Sequence, residues 1–85
     1  MNLWIKTMRE DKIARDIVER NDKTLTMNNA EDMLQEMCHT LDVPTPLLTK
    51  SHYRNLAEFN FIKFLPRDFI ESVDFDYMQV EMFFE

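Results

Sequence analysis

Not one glycine occurs among the 85 residues, and that absence excludes more functions than any residue present suggests. Motifs that bring a phosphate against bare backbone need positions without a Cβ. Walker loops, dinucleotide-binding GxGxxG turns, G-x-S-x-G nucleophile elbows and EF-hand loops are all missing. Left-handed turns must then use Asn and Asp, the next most tolerant residues, which selects Glu10-Asp11, Asn21-Asp22, Asn28-Asn29 and Asn60.

Cysteine is nearly absent. The single Cys38 cannot form an internal disulfide, and no signal-like apolar stretch points to secretion. The longest apolar runs are a few residues, far short of a membrane span. A cytoplasmic protein without a membrane contact is expected.

Basic charge is scarce as well, with 10 Lys and Arg against 16 Asp and Glu and a net charge of −6. From Asp68 to Glu85 there are six carboxylates (Asp68, Glu71, Asp74, Asp76, Glu81 and Glu85) and no base. Nucleic-acid binding needs a clustered cationic footprint, so that class is disfavoured. A basic protein partner is electrostatically easier, while acidic excess also keeps proteins soluble.

What is present suffices for a core. Hydrophobic residues make up 45% of the chain and charged residues 31%, an ordinary globular mixture. A chain of this length buries roughly 64% of its unfolded surface, enough for one domain over residues 1–85.

Leu3, Ile5 and Thr7 alternate with Trp4, Lys6 and Met8, as in a half-buried strand. Ile13, Ala14, Ile17 and Val18 fit a returning strand but also helical spacing from about Arg9 to Arg20. The preferred reading is a hairpin, Leu3–Met8 and Lys12–Glu19, turning at Glu10-Asp11. A helix from Ala30 to about Asp42 follows, with Asn29 as N-cap, Glu31 and Asp32 in its first turn, and Ala30, Met33, Leu34, Met37 and Leu41 as its apolar stripe. Val43 before Pro44 disfavours further helix. A shorter helix over Ser51–Phe59 turns Tyr53, Leu56 and Phe59 inward, and Phe61–Leu65 is a strand ended by Pro66. Asp68–Glu71 forms one helical turn. Met78, Val80, Met82 and Phe84 alternate with Tyr77, Gln79, Glu81 and Phe83 in the best strand signal of the chain. The predicted fold class is α+β: an antiparallel sheet of three to four strands with one long and one short helix packed on it, in the order β-β-α-α-β-β.

Trp4-Ile5-Lys6, Cys38 with Leu41-Asp42, Pro46 and Leu48, Arg54 with Phe59, Phe69-Ile70-Glu71, and Asp74-Phe75-Asp76-Tyr77 form a set of landmarks. Together they resemble a family of small uncharacterised bacterial proteins, found mostly in anaerobic Gram-positive bacteria and of unknown function. The resemblance covers nearly the whole chain. It implies the fold and carries no catalytic motif.

The reactive residue types are few. Cys38 and His39 are neighbours and point about 100° apart on a helix, so His52 would have to serve Cys38 as base. Cys38 lies beside the apolar stripe, where a free cysteine is usually a small buried hydrophobe. Cys38, His39, His52 and Asp42 lack the paired spacing of a structural zinc site. Asp74 and Asp76 fall on one side of an extended segment with Phe75 on the other, which reads as a solvated acidic bend anchored by Phe75 rather than as a cation loop or an acid–base pair. Ten aromatics, mostly in the last third with only Lys63 and Arg67 among them, suit a core better than a nucleobase platform. Met33, Met37, Met78 and Met82 likewise fall on inward faces. Phe83 and Phe84 are consecutive, and a strand cannot bury both on one side.

No cofactor or metal is assigned, and no catalytic residue. The reading is a non-catalytic protein–protein interaction or accessory protein, homo-oligomeric or bound to another protein, acting through an acidic carboxyl-terminal segment and a sheet edge. Its candidate surface is Asp74, Asp76, Glu81, Phe83 and Phe84. The alternatives are an acidic decoy of a nucleic-acid-binding protein and a small enzyme using Cys38 or the Asp74/Asp76 pair.

Overall fold

Glu10 at φ 52° and Asp11 at φ 63° reverse the chain and set the first hairpin. Two left-handed central residues are what a type I′ turn requires, and its twist matches that of the strands it joins. The computed structural model describes residues 1–84. Strand β1 (Asn2–Arg9) pairs through this turn with β2 (Lys12–Arg20), so residues 12–20 form a strand and not a helix. Helix α1 (Met27–Leu41), helix α2 (Lys50–Phe59), strand β3 (Phe61–Phe64), a 3-10 turn (Pro66–Asp68) and strand β4 (Tyr77–Phe83) follow. The sheet order is β2-β1-β4-β3, with every neighbouring pair antiparallel. The α+β class and the element order are as the sequence implies.

Helix α1 begins three residues earlier than the stripe suggests. Thr26, not Asn29, is the N-cap, and its hydroxyl accepts the Asn29 amide at 3.1 Å. Glu31 and Asp32 consequently lie beyond the first turn. A threonine cap outcompetes Asn29 because the Asn29 side chain reaches back instead, donating to the Thr24 carbonyl at 2.8 Å. At the other end Asp42 adopts a left-handed φ of 60° and its N–H donates to the His39 carbonyl at 3.1 Å. Asn60, at φ 60°, ends α2 in the same way. Asp42 is a left-handed position absent from the four expected ones, whereas the Asn21-Asp22 and Asn28-Asn29 pairs are not left-handed.

Helix α2 starts from a reciprocal cap: the Thr49 hydroxyl accepts the His52 amide at 3.2 Å, and the Thr49 amide donates to His52 Nδ1 at 3.1 Å. Leu56 is buried and Tyr53 half-buried, but Phe59 is 66% exposed, contrary to the inward face predicted for it. As the helix's last residue, beside left-handed Asn60, it overhangs the core. The expected helical turn at Asp68–Glu71 is also displaced. Pro66 supplies the fixed φ that opens the 3-10 turn, and Asp68 Oδ2 accepts the Leu65 amide at 2.8 Å to close it. The alternation runs on to Phe84, but β4 ends at Phe83 and Phe84 is 74% exposed.

Both helices cover one face of the sheet. Leu3 and Ile5 from β1, Met78, Val80 and Met82 from β4, and Ile62 and Phe64 from β3 meet Ala30, Met33, Leu34, Met37 and Cys38 of α1 and Leu56 of α2. Phe69 and Phe75 extend the cluster as an edge-on aromatic series, with ring centres 6.5 Å (Phe64–Phe69) and 5.4 Å (Phe69–Phe75) apart. All four methionines expected inside are buried there.

Candidate interaction surface

With the helices on one side, strand alternation leaves the other side to the remaining residues. Opposite one another across the sheet stand Val18, Trp4, Glu81 and Phe61, then Asp16, Lys6, Gln79 and Lys63. Asn2 and Phe83 lie at one end of this face, Met8 and Tyr77 at the other. No helix or described loop contributes to the core from this side, and Trp4, Tyr77 and Phe83 remain half-buried while Phe61 and Val18 are exposed.

The cations of the face are already organised by its rings. Lys6 Nζ sits 3.9 Å from the centre of Trp4 and 3.1 Å from Glu81 Oε1, and Lys63 Nζ sits 4.3 Å from the centre of Tyr77. The Arg20 guanidinium lies 5.5 Å over Phe83. Trp4 Nε1 donates to Asp16 Oδ2 at 3.0 Å, and Gln79 Nε2 donates to Glu81 Oε1 at 2.5 Å. The result is an aromatic surface of mixed, internally paired charge. A cationic stripe for nucleic-acid phosphates would need its bases uncompensated.

The five candidate residues fall at two ends of β4. Glu81, Phe83 and Phe84 belong to its far end. There the Met82 amide donates to the Asn60 carbonyl at 2.8 Å, which brings the Phe59–Phe61 stretch alongside. Phe59, Phe61, Phe83 and Phe84 thus share one corner. Asp74 and Asp76 precede β4 at its other end, roughly 20 Å away along a seven-residue strand. Asp76 Oδ2 accepts the Glu10 amide at 2.9 Å and so has a structural task. Asp74 is exposed and shares a groove of about 320 Å³ with Arg15, Val43, Pro44 and Val73. Phe75 between them is buried, so the bend is anchored as the alternation implies.

The reactive residue types are dispersed. Cys38 is fully buried, and that burial pushes its thiol up to about 12, only partly offset by a hydrogen bond from the Thr45 side chain. Such a thiol is protonated at neutral pH and is not a nucleophile. His39 is exposed on α1. His52 spends Nδ1 on the Thr49 amide, lies tilted against Phe64 with ring centres 4.6 Å apart, and holds Nε2 3.7 Å from Asp68 Oδ2. Asp42 is a helix-end residue. Among the described residues no three His, Cys, Asp or Glu side chains gather as a metal site would require.

Trp4, Lys6, Phe61, Lys63 and Tyr77 are the surface residues that sequence reasoning assigned to no site. The signal lay in the alternation of β1 and β4, which marks Trp4 and Tyr77 as outward. What it lacked was the sheet order that sets them side by side. No family model, no curated protein and no solved structure matches the chain.

Proposed function

We propose that this chain is a non-catalytic, cytoplasmic protein-interaction domain that binds a protein partner on its uncovered sheet face, at the corner formed by Phe59, Phe61, Phe83 and Phe84. One observation carries this reading: Phe61 and Phe83 stand on the side of the sheet away from the helices, with Phe59 at the end of α2 and Phe84 just past β4 at its rim, and Phe61, Phe59 and Phe84 are exposed to 38%, 66% and 74%. Apolar rings of this size are normally covered, and clustered exposure marks a contact site. Glu81, Gln79 and Lys63 supply a polar surround, the pattern of an interface core with a polar rim. The acidic segment contributes Asp74 and Glu71 as an outlying negative field that steers a basic partner. Internal use of Asp76 and Glu81 weakens that field relative to the bare count of carboxylates.

The test replaces single positions with a photo-crosslinking amino acid in cells. Crosslinks to one protein from positions 61 and 84, absent from position 28 on the helix side, support the reading. Crosslinking from position 28 alone would move the contact to the helices. A nucleic-acid adduct at position 61 would replace the protein partner with a stacking ligand.

A further inference from the structure

The sheet has two edges of unequal quality. Strand β3 is four residues long, bounded by left-handed Asn60 and by Pro66, and so offers little to a pairing strand. Strand β2 is nine residues long without proline, and its outer side pairs with no other described strand. The Arg15 amide donates to Thr7 Oγ1 at 3.1 Å and the Asn21 amide to the Met1 carbonyl at 3.3 Å, so odd-numbered amides aim at β1. Those of Asp16 and Val18 therefore aim outward.

Charges on this edge are of both signs and placed at its two ends. Arg15, Ile17 and Glu19 stand on the helix-covered face, opposite Thr7, Ile5 and Leu3 of β1. Arg15 is fixed at one end, its Nη1 donating to the Leu41 carbonyl at 2.7 Å, which leaves its other guanidinium donors for a second acceptor. At the other end Glu19 and Glu36 line a groove of about 300 Å³ between β2 and α1, together with Ile17, Val18, Met37 and Thr40. One Glu19 oxygen is buried and has no hydrogen-bond partner among the described residues. A carboxylate in that state lacks a cation.

We propose that the occupant of this edge is a second copy of the chain, paired antiparallel with β2 about a two-fold axis through Ile17. In that register Arg15 of each copy faces Glu19 of the other, Ile17 faces Ile17, and Asp16 and Val18 exchange backbone hydrogen bonds through their outward-aimed groups. Shifting by one residue sets covered-face side chains against open-face ones. A shift by two in one direction opposes Asp16 to Asp16. In the other it opposes Glu19 to Ile17 and leaves the carboxylate without its cation. The register shift at Thr7/Met8, which leaves Ala14 without a counterpart, ends the ladder beyond Arg15. Both signs on one edge thus do more than repel foreign strands: they select a self-complementary register. A two-fold axis normal to the sheet keeps the open faces of both copies on the same side, so this pairing is independent of the partner proposed for that face.

Sedimentation of the purified full chain over a concentration series tests this. A dimer is expected. Glu19→Arg and Arg15→Glu should each weaken it at least about tenfold, because the like-charge contact occurs twice. The double variant carrying both changes should regain it, which shows that both substitutions are compatible with the fold. Mild oxidation of Ile17→Cys should give a covalently linked dimer, with Cys38 too buried to contribute. A monomer at every concentration, or a dimer indifferent to the single reversals, overturns the proposal. Crosslinking at Phe61 reads the open face and does not bear on this result.

Discussion

The carboxylate of Asp76 accepts the amide of Glu10 at 2.9 Å across 66 positions of sequence. This one contact ties the acidic bend before β4 to the left-handed turn of the first hairpin, at the end of the sheet where β1 and β4 lie side by side. The neighbouring bond from the Asp76 amide to the Met8 carbonyl, at 2.8 Å, makes the clamp two-sided. Asp76→Ala removes only the side-chain half. It should destabilise the domain by roughly 0.5–1.5 kcal/mol and speed hydrogen exchange at the Glu10 amide specifically. Unchanged exchange there would mean that the turn holds itself.

The same turn is imperfectly built. Glu10 carries a Cβ in a left-handed conformation that disfavours it, whereas the preferred pair for this turn is Asn-Gly. Replacing Glu10 and Asp11 by Asn and Gly keeps the amide that Asp76 binds. Chemical denaturation should show a gain of about 1 kcal/mol, with the slope unchanged.

Where the sequence repeats a spacing, the fold was legible; where it depends on one competing cap or on strand order, it was not. The alternation in β1 and in β4 as far as Phe83 and the stripe Ala30, Met33, Leu34, Met37 with half-buried Leu41 survive because burial of a whole face outweighs any single residue. The start of α1 turned on Thr26 against Asn29, a difference of one side-chain hydrogen bond. Phe59 fits the stripe of α2 by spacing, yet spacing says nothing about where the core ends. The open-face aromatics needed the β2-β1-β4-β3 order, since Trp4 and Phe61 are 57 positions apart and meet only through Glu81 of β4.

Leu34 and Met37 are 4% and 2% exposed on the covered side of the sheet. Truncation of either to Ala should cost roughly 2–5 kcal/mol, the spread reflecting how far the helix can settle into the void. Losses under about half a kcal/mol in equilibrium unfolding would remove that face from the core.

Cys38 makes an alkaline prediction. Its thiol is raised to about 12 in the folded chain, while in the unfolded chain it ionises near its ordinary value of 9.0. Below pH 9 both states hold the proton and the thiol adds no pH dependence. As pH rises from about 9 to about 12 the unfolded state alone loses it, so stability falls across that window. Cys38→Ala should flatten this part of the profile. Native-state labelling by a thiol reagent should be slow and should accelerate in denaturant, as expected for a group reached only through opening.

Phe61 and Phe64 lie on one four-residue strand, three positions apart, and point to opposite sides of the sheet. Phe64 is fully buried, with the His52 ring at 4.6 Å and Phe69 at 6.5 Å, so Phe64→Ala should open a cavity and cost roughly 3–5 kcal/mol. Phe61 is 38% exposed opposite Glu81, and its removal should cost under about 1 kcal/mol because little surface leaves the core. Stability and binding should therefore separate at these two positions: Phe61→Ala keeps the melting transition and loses the photo-crosslinked partner, whereas Phe64→Ala lowers both together. Equal destabilisation by the two would mean that the second face of the sheet is packed and unavailable for contact. A Phe61→Ala variant that keeps its partner would place the contact elsewhere, on the acidic groove around Asp74.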